Sequence, residues 1–414
     1  MKNKFLVKIR HNCRGCGGKN LFCFLDLGLQ PLAGAFITKR QIQTEKKFPL
    51  KLYYCPKCKL VQVTYIVSSQ ILFEKYNYIS SQIKALSHHF LVYTKYLKSN
   101  FLKKSGSTLI EFGCNDGVLL QHLKKYKSVN SYGVDPSKNV TRLARARGFK
   151  VWQNYFDVKT AKKMIKTTGL VDVVTGSNVF AHTDDISAII EAAKILLKPD
   201  GVFIVEVHYL LDLIQDGQYD TFYHEHLSYY SVTSLSNIFK KSGLKIIHLR
   251  ALPEVHGGSI RVIAASQLSK HKVDASVSQF IKKESNINLK LLKRFARHVK
   301  VHRIDLLKLL TKIKSQDKTI AAYGASGRAT ILLNYCQIDK RHIDYVIDMS
   351  PLRAGKLMPG VHVPIILPEL ARKNPPDYLL VTAWNYWDSI LQKEQTMIKE
   401  GVKFIKPLPK IQII

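Results

Sequence analysis

The sequence predicts an α/β protein built from three units, and three observations carry that expectation. Short apolar runs alternate with helix-length segments across residues 108–264. Two Cys-x-x-Cys pairs stand near the start, and a second strand–glycine turn–helix pattern lies near residue 320. A chain of 414 residues exceeds one ordinary core. The expected division is a small cysteine-paired domain over 1–70, a central Rossmann-like domain over 71–265, and a smaller C-terminal Rossmann-like α/β domain over 266–414.

The first unit is organised by Cys13-Arg-Gly-Cys16 and Cys55-Pro-Lys-Cys58. Two thiolates separated by two residues turn inward on one knuckle, and two knuckles complete a closed tetrahedral site. That geometry suits a structural zinc ion held by Cys13, Cys16, Cys55 and Cys58. An odd total of seven cysteines and no export signal argue against disulfides. Between the pairs, Gln30–Phe36 reads as turn-rich and Lys51–Tyr54 as a strand feeding the second knuckle.

In the central unit, strands are expected at Thr108–Gly113, Ser131–Asp135, Lys150–Trp152, Val171–Thr175, Gly201–Val207, Leu244–Leu249 and Ser259–Ala264. Helices are expected from Val118, near Val140, after Asp157, over Ile186–Leu197 and around Leu235–Phe239. Strands spaced by helices imply a mostly parallel sheet covered on both faces, and this order fits a class I seven-stranded methyltransferase core. The third unit opens on an amphipathic stretch, Phe280–Lys314, with Leu289, Leu292, Phe295, Val299, Ile304, Leu307 and Leu310 at helical spacing. The strand Thr319–Tyr323 and a glycine turn at Gly324–Ala329 follow, with later strands at Tyr345–Ile347 and Tyr378–Thr382.

Composition narrows the function classes. With 46% hydrophobic and 10% aromatic residues the chain can bury a substantial core. Lys and Arg number 64 against 30 acids, a net charge of +34. The basic residues run from end to end without interleaved aromatics, which reads as a solvated surface rather than a nucleic-acid site. The best membrane candidate, Gly201–Ile214, is broken by Glu206, His208 and Asp212 and falls short of the roughly 20 apolar residues a span requires. The expectation is a cytoplasmic chain with neither membrane nor nucleic acid as partner.

Two segments carry chemistry. Glu111-Phe-Gly-Cys-Asn-Asp-Gly117 lies where a first strand turns into its helix, and Asp135 ends the next strand. Glu111, Gly113, Asn115, Asp116 and Gly117 suit the cationic amino-acid end of S-adenosylmethionine. Asp135 is placed to accept the ribose hydroxyls. A Rossmann-like turn for some other nucleotide stays open. The second segment, Phe222-Tyr-His-Glu-His226, puts two imidazoles, a carboxylate and a phenol together after the fifth strand. On an extended backbone His224 and His226 share one side, whereas a sharp turn makes the group converge. A metal-chelating or structural role for the pair stays open as well.

At these residues the chain resembles the nucleotide-sugar C-methyltransferases, typified by enzymes that methylate carbon 3 of dTDP-linked 4-keto-deoxysugars. The resemblance spans essentially the whole chain. It rests on the cysteine pairs, Tyr76-Asn-Tyr78-Ile-Ser-Ser81, the turn 115–117, Asn178-Val-Phe-Ala-His182 and Tyr223-His-Glu-His226. It continues through His256-Gly-Gly-Ser-Ile-Arg261, Tyr323-Gly-Ala325 and Thr382-Ala-Trp-Asn385. The resemblance implies a base, His226, at carbon 3, with Tyr223 and His182 on the keto oxygen, Glu225 as an orienting group and Tyr76 (or the nearby Tyr78) as an active-site phenol. It implies a cofactor contact at Asn178 and substrate contacts at His224, Tyr78, Ser80, Ser81, Tyr323, Gly324, Arg328 and Asn385. The C-terminal unit is expected to hold the nucleotide, with the helix start near Gly324–Gly327 meeting the pyrophosphate. One departure is the turn Ala325-Ser-Gly-Arg328, where relatives are expected to read Ala-Lys-Gly or a close variant, so either Arg328 supplies the lysine's charge one or two positions later or the nucleotide preference differs. The alternatives are an O-methyltransferase on a sugar nucleotide and a nucleic-acid-modifying methyltransferase.

Overall fold

A computed structural model describes residues 7–73 and 79–414. Strands β1 (Val7–Ile9), β2 (Phe22–Pro31), β3 (Lys47–Tyr54), β4 (Val61–Val63) and β5 (Tyr65–Val67) form the first unit. The chain meanders antiparallel through β2, β3 and β4. The ten-residue β2 was not expected, because register shifts at Cys23–Leu25 and Asp26–Leu29 break its alternation of buried and exposed residues.

The central unit contains β6 (Ser107–Phe112), β7 (Val129–Val134), β8 (Val151–Trp152), β9 (Val171–Ser177), β10 (Leu197–His208), β11 (Ser228–Tyr229), β12 (Leu244–Leu252) and β13 (Ser259–Ser266). All but β11 form one seven-stranded sheet in the order β12-β13-β10-β9-β6-β7-β8. Only β13 runs against its neighbours, and the rest are mutually parallel. Every residue of β6 is buried, as expected of a strand covered by helices on both faces. The order reverses between β6 and β9, and there a crevice opens at the carboxyl ends of the strands. β11 leaves this sheet and pairs with β4, so the central unit supplies the fourth strand of the N-terminal sheet.

The long amphipathic stretch is two helices, Ala275–Lys283 and Leu289–Lys314. The break has a tertiary cause. Glu284 turns its carboxylate onto the backbone N–H groups of Val232 and Thr233, at the start of helix Val232–Lys241. Asn288 then caps the new helix by accepting from Leu291 N–H at 3.0 Å. Leu292, Phe295, Val299 and Leu310 are buried as the spacing requires, but Ile304 faces solvent.

The third unit has β14 (Ile320–Tyr323), β15 (Tyr345–Ile347), β16 (Ile365–Ile366), β17 (Tyr378–Val381), β18 (Lys403–Lys406) and β19 (Gln412–Ile413), in the order β16-β15-β14-β17-β18-β19. Among the described residues no helix is long and apolar enough to cross a membrane.

Candidate active site

A cavity of about 2210 Å³ runs along the carboxyl edge of the central sheet and takes lining residues from all three units. At its cofactor end, β6 delivers Glu111 and the turn that follows. Gly113 sits at φ 65°, and a Cβ there would meet Val179 at 2.6 Å. Asn115 is also left-handed, at φ 51°. Asp135, just past β7, is clasped by two backbone donors: Asn115 N–H to Oδ2 at 3.0 Å and Ser137 N–H to Oδ1 at 2.9 Å. The remaining lone pairs of a carboxylate held this way can take a vicinal diol. Burial, then the neighbouring Asp135 and Asp116 carboxylates, pushes the Glu111 carboxyl well above its ordinary range. Among the described residues its Oε2 is buried without a hydrogen-bond partner, as is Asn178 Oδ1. An uncompensated acid in this place fits a cationic ligand. Glu111, Gly113, Asn115, Asp135 and Asn178 all line the cavity and together fit S-adenosylmethionine.

Two of the expected cofactor residues do other work. Asp116 is fully buried and ion-paired to Arg147 at 2.9 Å, and it is not part of the cavity wall. Gly117, at φ 80°, is needed where the helix Val118–Leu123 begins, because a Cβ would meet the Phe149 ring at 2.9 Å. Ser80 N–H donates to Asn115 Oδ1 at 3.1 Å and lines the cavity. Ser81 instead binds Asp116 through its N–H and Arg147 through its hydroxyl. Both serines therefore brace the cofactor turn. Tyr76 and Tyr78 lie outside the described residues.

The Tyr-His-Glu-His segment is a turn, closed by His226 N–H to Tyr223 C=O at 3.0 Å. It brings the Tyr223 and His226 rings within 4.0 Å. It also sends His224 the other way, against the Phe48 ring and the Pro49 carbonyl, so His224 belongs to the packing with the N-terminal sheet and not to the cavity. Around His226 lie His182, at 5.1 Å between ring centroids, and His208, at 5.0 Å; His256 lies 5.8 Å beyond His208. Burial lowers all four imidazoles, with His182 and His256 at about 4. His226 is held well below its ordinary value by burial and then by its histidine neighbours. His226 Nδ1 faces the Thr221 carbonyl at 3.0 Å. A carbonyl only accepts, so Nδ1 carries the proton and Nε2 is the basic nitrogen. Glu225 shares the cavity, beside Gly34 of the N-terminal unit, and burial pushes its carboxyl up to about 7.

In the third unit Tyr323, Gly324, Arg328 and Asn385 reach the cavity. Tyr323 commits its hydroxyl to Glu394 at 2.7 Å. Gly324 (φ 103°) has no room for a Cβ, which would meet that of Ala383 at 2.6 Å. Arg328 does not carry a spare charge. Its guanidinium forks onto Asp220 at 3.0 and 2.9 Å, binds Gln218 Oε1 at 3.0 Å and His256 C=O at 3.2 Å, and lies on the Trp384 ring. Asp220 is fully buried and belongs to the short helix Tyr219–Thr221 that enters the Tyr-His-Glu-His turn. The expected anion-binding arginine is thus a strut between the third unit and that turn.

The four cysteine sulfurs of the N-terminal unit lie within 4.8 Å of one another. Cys13–Cys58 and Cys16–Cys55 are 3.4 and 3.6 Å apart. Tetrahedral zinc with bonds of about 2.3 Å separates its sulfurs by about 3.8 Å, so the site fits the ion with little movement.

His208 and His256 were not singled out as site residues. His208 is the last residue of β10, and the rule that ligands sit at the carboxyl edge of such sheets could have found it. His256 was visible only inside the His-Gly-Gly motif.

The sheet order, the acid after its second strand and the cavity between them define an S-adenosylmethionine-dependent methyltransferase with a zinc site. Residues 86–249 match the family described as "Methyltransferase domain", 254–409 the "C-methyltransferase C-terminal domain", and 13–73 a "Putative zinc binding domain". C-methyltransferase NovU of Streptomyces niveus is 31% identical over 99% of this chain and 98% of its own length. The chain belongs to the C-methyltransferase family. A ubiquinone biosynthesis O-methyltransferase of Colwellia psychrerythraea is 26% identical over 34% of this chain and 61% of that relative. Magnesium protoporphyrin IX methyltransferase from Synechocystis, solved with bound S-adenosylmethionine, is 14% identical, with a TM-score of 0.34 over 44% of this chain and 80% of that one.

Proposed function

We propose that this C-methyltransferase acts on a nucleotide-linked 4-keto-deoxysugar, removing the proton on carbon 3 with His226 and methylating that carbon. The observation that carries this reading is the fixed tautomer of His226, whose basic Nε2 sits in the same cavity as the cofactor residues. A proton beside a ketone is weakly acidic, so its removal needs both a base and a place for the resulting charge. Nε2 takes the proton, and the carbon–hydrogen electron pair moves to form the enolate. The enolate oxygen falls to Tyr223 and His182. Glu225, whose carboxyl burial pushes up to about 7, is placed to donate to a sugar oxygen when protonated. When bound, S-adenosylmethionine supplies the electrophilic methyl that the nucleophilic carbon takes, and the ketone returns. Burial keeps the His226 imidazole neutral at physiological pH, so Nε2 offers a free lone pair to the proton.

The third unit is assigned the nucleotide. Ser326 caps the helix Gly327–Cys336, whose start faces the cavity. Arg353, after β15, engages Asp348 and the Ala325 carbonyl through Nη1. It is the cation we assign to the pyrophosphate in place of Arg328. We place the domain boundaries near residues 70 and 265 and the enzyme in the cytoplasm, where nucleotide sugars are available.

The test is incubation with S-adenosylmethionine and a panel of dTDP-, GDP- and CDP-linked 4-keto-sugars, with NMR location of the new methyl. Deuterium wash-in beside the ketone is expected for wild type and lost in His226→Gln. A methyl found on oxygen, or wash-in that survives His226→Gln, overturns the assignment.

A further inference from the structure

Arg14 stands between two zinc ligands, yet its side chain works on the catalytic unit. It is fully buried. Its Nη1 donates to Leu227 C=O at 2.8 Å and to Gln62 Oε1 at 3.1 Å, Nη2 to Val63 C=O at 3.0 Å, and Nε to Asp184 Oδ1 at 3.2 Å. Leu227 directly follows His226, and Asp184 lies two residues after His182. The two histidine segments are also joined to each other, since Leu227 N–H donates to Ala181 C=O at 2.8 Å. Arg10 adds a second bond to Asp184 Oδ1 at 2.7 Å.

We propose that Arg14 is a positioning residue for methyl transfer, through which the zinc knuckle fixes His226 and His182 relative to each other. This rests on the assignment of His226 as the base. Three features support it. The backbone of the Cys13–Cys16 knuckle is closed by Cys13 N–H to Gly18 C=O (2.7 Å) and Gly17 N–H to Cys13 C=O (2.8 Å), so Arg14 departs from a rigid base. The strand after the catalytic turn, β11, is itself part of the N-terminal sheet, and Leu227 C=O accepts from Val63 N–H at 3.0 Å as well as from Arg14. The rings of His182 and His226, which belong to the two segments the guanidinium joins, face each other in the cavity with an interplanar angle of 29°. Proton abstraction tolerates little misplacement, and an error of about 1 Å costs on the order of 100-fold in rate. A merely structural arginine would hold the units together without touching the geometry of the base.

The experiment compares the full-length, zinc-loaded wild type with Arg14→Met, Arg14→Lys and Asp184→Asn. In the Arg14 variants zinc content and S-adenosylmethionine affinity are expected to be unchanged, because the Arg14 side chain reaches neither the cysteine sulfurs nor the cavity. For the panel sugar that wild type methylates, kcat is expected to fall about 100-fold in Arg14→Met with little change in KM. The spectroscopic readout is the ¹⁵N spectrum of histidine-labelled protein with S-adenosylhomocysteine bound, with His226 assigned by its loss in His226→Gln. Wild type is expected to show protonated Nδ1 and free Nε2, and Arg14→Met a mixture of tautomers. Arg14→Lys, which keeps the charge but not the fork, is expected between the two. Asp184 is partly exposed, so Asp184→Asn keeps the proposal testable should Arg14→Met fail to fold, with a perturbed His182 resonance expected. Wild-type kcat and an unperturbed histidine spectrum in the folded variants overturn the positioning role. Unimpaired methylation by His226→Gln overturns the identity of the base instead, and so separates the two failures.

Discussion

Replacing Arg328 with leucine separates two roles that sequence alone could not. In the structure its guanidinium makes two bonds to Asp220, one to Gln218 and one to the His256 carbonyl, and rests 4.5 Å from the centre of the Trp384 ring. Leucine leaves Asp220 fully buried with the Trp384 indole N–H, at 2.8 Å, as its remaining donor. Breaking a buried ion pair by removing one partner costs about 3–5 kcal/mol, chiefly because a charge is left uncompensated. The double variant R328L/D220N removes both charges and is expected to lose no more than about 2 kcal/mol. The assay is equilibrium urea denaturation of the wild type, both single variants and the double, alongside steady-state kinetics. Arg328→Leu should be strongly destabilised and should lower kcat, because Asp220 precedes Thr221, whose carbonyl sets the His226 tautomer. A variant as stable as wild type, with only a higher KM for the sugar nucleotide, would refute the strut and restore Arg328 as a phosphate ligand. Arg353→Ala is expected to show that second pattern, with KM raised roughly 10- to 100-fold, the value of one charge-assisted hydrogen bond.

Asp135→Ala removes the carboxylate held by Asn115 and Ser137. S-adenosylmethionine should bind about 10- to 100-fold more weakly by calorimetry, and an unchanged Kd would exclude Asp135 from the site. The buried histidines predict acid sensitivity. His182 and His256 are lowered to about 4, so between that value and the ordinary 6.5 the unfolded chain binds protons that the folded chain cannot. Their contribution is intact above pH 6.5 and is lost as pH falls toward 4, on the order of 3 kcal/mol for each, and the urea midpoint followed across that window should show the loss. The same burial places the acid limb of kcat/KM below pH 6.5, and a limb centred above that value would count against His226 as the base. Stripping zinc with a chelator, or replacing Cys55 by serine, should release about one equivalent of metal per chain and lower activity as the N-terminal sheet loosens.

Much of this architecture was legible from local pattern. The strands β6, β9 and β10 announce themselves as apolar runs because both faces of that sheet are covered, and the cysteine pairs announce zinc because the ligands are close in sequence. Glu111 and Asp135 stand at the carboxyl ends of β6 and β7, so topology alone brings them to one crevice, whereas the Tyr-His-Glu-His segment reaches it from the connection between β10 and β11. The strand β2 was hidden by its irregular register, and the break near Glu284 by a contact with a helix some 50 residues earlier.

What the sequence determined by itself is the class of chemistry: a methyl donor site, a cluster of titratable side chains after the fifth strand and a closed metal site. Those follow from residue type and short spacing. The tertiary structure alone decided where those residues lie and what they engage. It turned His224 away, spent Asp116 on Arg147 and Arg328 on Asp220, and gathered His208 and His256 around His226. The physical reason is that a charge or a lone pair is available for chemistry only after its buried neighbours have been satisfied. Those neighbours lie far away in the chain, as Arg14 does from Leu227 and Asp220 from Arg328.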